Sequence, residues 1–174
     1  AEVLLFTAAR AELVAKILKP SFLQQIDIVI ADRYTDSTLA YQGYGRQISL
    51  EDIRVMNHFA TQGISPSLTF LLDCPPEDGL RRTSTTQVSL PKDGTDLTHP
   101  RRTDQEDARR FEREPLDFHR RVRQGYLDIA RSDPQRWFLI DAAKPMDEIS
   151  DIILCQVLER LQKINKVSNT KDQI

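Results

Sequence analysis

Leu5, Ala9, Leu13 and Ile17 recur every four residues, and Phe6, Val14 and Leu18 widen the stripe, so Ala1–Lys19 is predicted to be an amphipathic helix. Proline removes a helical hydrogen bond and crowds the preceding turn, so Pro20 is predicted to end it. Ile28-Val29-Ile30-Ala31 is short, rich in β-branched residues and bounded by polar ones, which predicts a buried strand. Asp36, Ser37, Thr38, Tyr41 and Gln42 then follow at helical spacing. Ser49-Leu50-Glu51-Asp52 resembles a capping box and opens a helix with Ile53, Met56, Asn57 and Ala60 on one face, which Gly63 is placed to end. Leu68–Asp73 is a second apolar run, and Pro75-Pro76-Glu77-Asp78 starts a helix with proline and acids in its first turn. Pro115–Arg131 carries Phe118, Val122, Tyr126 and Ile129 at helical spacing, and Trp137–Asp141 reads as the third strand. Pro145–Lys163 is the last helix, with Ile149, Ile152, Ile153, Val157 and Leu161 inward, and the polar tail 165–174 is expected to fray. Strands separated by helices predict an α/β domain with a parallel sheet.

Composition narrows the class without naming a function. At 174 residues, with 40% hydrophobic and 29% charged residues, the chain suits a single domain with a real core. A net charge of −2 gives no sign of a nucleic-acid polymer or a membrane surface as partner. No apolar run reaches membrane-spanning length. Cys74 and Cys155 form no CxxC motif, and two reduced thiols fit a cytoplasmic protein. His58, His99 and His119 lack metal-ligand spacing. Thr83–Ala108 has few large apolar residues, and is expected to be a mobile excursion on a lid, with Arg101, Arg102, Arg109 and Arg110 as candidates to close over phosphates.

The densest chemistry follows the first apolar run. Asp32, Arg33 and Tyr34 stand at its carboxyl end, the edge where open parallel sheets bind ligands. Hydroxyls, an amide, two glycines and Arg46 come within the next dozen residues. Arginine grips phosphate in two places at once, so the set suits a phosphorylated, aromatic ligand.

The stretch DRYTDSTLAYQGYGR, residues 32–46, resembles the DR(Y/H)-x-x-S-x-x-A-Y-Q-G-x-G-R segment of bacterial thymidylate kinases. LLFTAAR (4–10), LLDCPPEDGLRR (71–82), FHRRVRQGYLDIA (118–130) and Ile140-Asp141-Ala142 are similar to further segments of that family. Arg109-Arg110-Phe111-Glu112 is similar to its lid ending, D-R-(F/I)-E, with Arg109 in place of Asp. The resemblance implies a P-loop-kinase-like α/β fold, a parallel sheet with helices on both faces, with three of the family's five strands present. It implies transfer of the γ-phosphoryl of ATP to dTMP, with Mg2+ as the cofactor, in dTTP biosynthesis. By the same resemblance Phe6 and Arg10 take the base, and Ser37, Thr38, Tyr41 and Gln42 set sugar and base contacts. Arg33 holds the acceptor phosphate, and Asp32 holds magnesium through water or holds the acceptor end of the site. Arg110 stabilises the transferring group, with Glu112 beside it. Arg82, Asp141, Ala142 and Ala143 lie against ATP. A cytoplasmic homodimer is implied as the assembly.

The family's G-x-x-x-x-G-K-[ST] loop does not occur in this sequence, and no Gly-Lys pair is present. The chain is therefore expected to be truncated at its amino end relative to the family, as part of a longer kinase or as a non-catalytic nucleotide-binding remnant. The strands 28–31 and 68–72 are then expected not to pair directly, since the family's loop-bearing strand lies between them.

Overall fold

The computed structural model of the chain describes residues 1–24, 26, 28–85, 111 and 113–171. Two strands form the sheet among these: β1 (Thr69–Asp73) and β2 (Trp137–Asp141). They pair in parallel and in register from Thr69 with Trp137 to Asp73 with Asp141. Both aspartates therefore emerge side by side at the carboxyl edge. The Asp73 carbonyl extends the ladder by accepting from the Ala142 amide at 2.9 Å.

The predicted strand at Ile28–Ala31 is not formed. Its residues are extended and exposed, with Ile30 at 90%, and none of its backbone groups is hydrogen-bonded to a described residue. The composition favours a strand, but a strand is a pairing, and no described neighbour offers a ladder here. The sheet thus holds two of the three expected strands among the described residues.

The first helix also departs from expectation. α1 (Glu2–Leu13) runs through a π-helical segment (Val14–Leu18) directly into α2 (Lys19–Leu23), so Pro20 does not end it. The wider π turn absorbs the missing proline N–H where a regular α-turn would leave a clash. The buried face keeps Val14 and Leu18 from the widened edge of the predicted stripe and loses its centre. Val3, Val14 and Leu18 are buried, while Leu5 and Ile17 are exposed.

Downstream, the helices match their signals. α3 (Thr35–Thr38) leads into a π-helical segment (Leu39–Gly45), followed by α4 (Leu50–Thr61). The Ser49 hydroxyl accepts from the Asp52 amide, as the capping box requires, and Gln62 and Gly63 leave α4 in left-handed conformations. α5 (Pro76–Thr85), α6 (Leu116–Ser132) and α7 (Met146–Lys171) complete the chain, the last running on through the tail expected to fray from Asn165.

The main core lies between the π segment 39–45 and α6, where Leu39, Ala40, Phe118, Val122 and Ile129 pack with Ile53 and Trp137. Two glycines make the approach possible. A Cβ on Gly45 would stand 2.6 Å from the Phe118 ring, and one on Gly125 would stand 2.5 Å from the Tyr44 ring.

Candidate functional site

Asp32 and Arg33 stand exposed on the bend before α3. Arg33 has φ +69°, the left-handed region that L-residues seldom adopt without support. Its guanidinium lies 5.4 Å over the ring of Tyr41. Arg33 makes no ion pair with a described residue. Tyr41 is itself fixed edge-on against Phe111 at 5.1 Å, Phe118 at 6.2 Å and Tyr126 at 6.3 Å. The result is a cation presented on an aromatic platform, open on the solvent side.

The residues behind that platform are bonded inward. The Tyr126 hydroxyl donates to Ser37 Oγ at 2.8 Å, and burial pushes its pKa up to about 12. Thr38 is buried, and Gln42, only 2% exposed, donates to Glu2 Oε1 at 2.7 Å. Gln42 thereby ties the π segment to the start of α1. Arg10 donates to Asn57 Oδ1 at 2.7 Å and to the Tyr34 carbonyl at 3.0 Å. Burial lowers the Arg10 pKa, against the opposing pull of Tyr34 and Asp36. Phe6, one turn before Arg10, is 39% exposed. The pair expected to take the base is therefore split in character, with an accessible ring beside a cation committed to α4 and the turn.

Further contacts from distant residues hold this turn. Asp36 is gripped by both Nη atoms of Arg136, at 2.7 and 3.0 Å. Asn57 Nδ2 donates to the Thr35 carbonyl at 3.3 Å. Burial depresses the Arg136 pKa, but bonds to Asp36 and Asp133 outweigh it and leave the value raised. The partners lie a hundred positions apart, so no local signal marks the pair.

A second group gathers at the carboxyl edge of the sheet. Arg82 donates to the Ala142 carbonyl at 3.2 Å, and Asp141 Oδ1 accepts from the Ala143 amide at 2.8 Å. Arg82 of α5 thus meets the Asp141–Ala143 turn at the end of β2. Beside them Arg123 holds Asp73 with two 2.7 Å bonds, which keep that carboxyl below its ordinary pKa against the opposing effect of burial. Arg120 likewise bonds Glu77 on α5. Helix α6 joins the two groups, reaching Glu77 and Asp73 through Arg120 and Arg123 and Ser37 through Tyr126. The i, i+3 spacing of Arg120 and Arg123 was the visible signal for this bridging face.

Arg110 and Glu112 lie outside the described residues, as do Arg101, Arg102, Arg109 and the lid excursion beyond residue 85. A groove of about 350 Å³ bordered by Tyr44, Ile48, Leu50 and Arg121 includes none of the candidate residues.

A parallel strand pair with helices before, between and after its strands, delivering aspartates side by side at its carboxyl edge, defines an α/β domain. The family model described as thymidylate kinase matches residues 1–153. A thymidylate kinase of Herpetosiphon aurantiacus is 39% identical over 175 residues, covering 96% of this chain and 73% of that protein. One of Pelobacter propionicus is 40% identical, covering 97% and 68%. The crystal structure of thymidylate kinase from Ehrlichia chaffeensis is similar at a TM-score of 0.54 and 32% identity, covering 80% of this chain and 56% of that one. The chain belongs to the thymidylate kinase family. It spans little more than half of the solved Ehrlichia chain.

Proposed function

We propose that this chain carries the acceptor-nucleotide half of a thymidylate kinase and, as part of a longer chain, serves ATP-dependent conversion of dTMP to dTDP. In that reaction the bond from the ATP β,γ-bridging oxygen to the γ-phosphorus breaks. A new P–O bond forms to an oxygen of the dTMP 5′-phosphate, and ADP leaves. The observation that carries the reading is Arg33, held in a left-handed backbone over Tyr41 with its cation exposed. Such transfers need positioning and charge neutralisation more than covalent chemistry by the protein.

Arg33 binds the acceptor phosphate. Phe6 stacks on the base, and Arg10 reaches it with donors beyond those spent on Asn57 and Tyr34. Ser37, Thr38, Tyr41 and Gln42 shape the sugar and base pocket, the buried members by fixing its wall. Arg82, Asp141, Ala142 and Ala143 meet the ATP side, and Arg110 with Glu112 acts from the lid. Magnesium keeps several waters and phosphate oxygens and takes only one or two carboxylates. No cluster of three His, Cys, Asp or Glu forms among the described residues, and a lone exposed Asp32 fits a water-mediated hold beside nucleotide phosphates. When bound, the ion would neutralise charge on those phosphates. The exposed Leu5, Val55 and Phe59 on the packed helices α1 and α4 suit a two-fold homodimer, which light scattering would read as a doubled mass. No helix among the described residues is long and apolar enough to cross a membrane, and the cytoplasm is the proposed site of action.

Calorimetric titration with dTMP, paired with a coupled ATP-consumption assay, tests the reading. Arg33→Ala should weaken dTMP binding by about 1.5–3 kcal/mol, the net worth of a charged hydrogen bond. An unchanged dissociation constant removes Arg33 from the site. Binding of dTMP without turnover by this chain would identify it as a nucleotide-binding unit alone.

A further inference from the structure

Among the described residues no ladder stands behind the bend that carries Arg33. The backbone groups of Ile28–Ala31 are not hydrogen-bonded to described residues, so the preceding segment gives the bend no purchase. A left-handed arginine persists only where its surroundings over-determine it. The constraints come instead from farther along the chain. Arg10 bonds the Tyr34 carbonyl, Asn57 the Thr35 carbonyl, Tyr126 the Ser37 hydroxyl and Arg136 the Asp36 carboxylate. Among these the Arg136 contact alone is both ionic and two-pronged. It is also sheltered, with Asp36 only 8% exposed.

Arg136 is in turn rigidly placed. Its Nε donates to Asp133 at 2.8 Å and its Nη1 to Thr69 Oγ1 at 3.0 Å. Its carbonyl accepts from the Thr69 amide at 2.8 Å, which binds it to the first rung of the β1–β2 pair. The guanidinium also lies 5.1 Å over the Trp137 ring. An arm fixed at the amino end of the sheet therefore reaches the turn three residues after Arg33.

We propose that Arg136 is a positioning residue for the acceptor-phosphate site, setting through its fork on Asp36 where the Arg33 guanidinium stands. The proposal deepens the dTMP-binding reading and rests on it. A fork is needed, because a point charge would leave the turn free to pivot about a single bond.

Two variants of the full chain test it. Arg136→Lys keeps the charge and removes the fork, and Asp36→Asn removes the charge at nearly constant size. In ligand-free protein, amide hydrogen exchange over residues 32–38 should rise about tenfold in both, the equivalent of losing one charged hydrogen bond, while amides of β1 and β2 keep their rates. Affinity for dTMP by calorimetry should fall by a similar factor, about tenfold. Unchanged exchange over 32–38, or faster exchange with full dTMP affinity, overturns the proposal. Exchange that rises equally in β1 and β2 also overturns it, since the pair would then support the fold at large. If the unaltered chain binds no dTMP while exchange over 32–38 rises in the variants, the functional reading fails and Arg136 remains the hold on Arg33.

Discussion

Trp137–Asp141 and Ile28–Ala31 are both short apolar runs leading to an aspartate, Asp141 in one case and Asp32 in the other. The first lies in register against β1, with Ile140 only 3% exposed. The second has no partner among the described residues, and its isoleucines are exposed there. Their chemistry is alike, so the difference lies in what stands beside them. In β2 the ladder places the aspartate, and Asp141 turns back to bond the Ala143 amide. At Asp32 side chains from α1, α4, α6 and the residue just before β2 place the turn instead. One edge of the candidate site is held by backbone, the other by long-range polar contacts.

The largest expected effect sharpens this contrast directly. Ile140→Ala should cost about 2–5 kcal/mol through lost burial and a cavity, whereas Ile30→Ala should stay within about 0.5 kcal/mol. Chemical denaturation of both variants measures it, and a comparable loss at Ile30 would mean that its run is buried in solution.

The next effect probes the side-chain hold. Burial raises the Tyr126 pKa from 10.0 to about 12. A pKa raised on folding gives stability that is fully present below the unfolded value and is lost as pH rises through the folded one. Between pH 10 and 12 the chain should therefore lose up to about 2–3 kcal/mol that Tyr126→Phe does not lose. Parallel alkaline unfolding curves for the two proteins would break the assignment. The smallest effect concerns the seat of α6. Gly125→Ala places a methyl 2.5 Å from the Tyr44 ring and should cost about 1–3 kcal/mol by overpacking. A neutral result by thermal melting would show that Tyr44 can swing clear.

Much of this was legible in the chain. The cap at Ser49, the faces of α4 and α6, and the bounds of β2 follow from spacing and local chemistry, because neighbours in sequence create them. Family likeness singles out Arg82, Asp141, Ala142 and Ala143, whereas the bond from Arg82 to the Ala142 carbonyl is visible only in the fold. Tertiary structure alone decided three other matters. It left Ile28–Ala31 unpaired among the described residues, because a strand requires hydrogen-bond partners that its own residues cannot supply. It carried the first helix past Pro20 by widening to a π turn, a local adjustment absent from ordinary helix-ending rules. It also joined Asp36 to Arg136, since a contact between residues a hundred positions apart exists only once the sheet has set the distance between them.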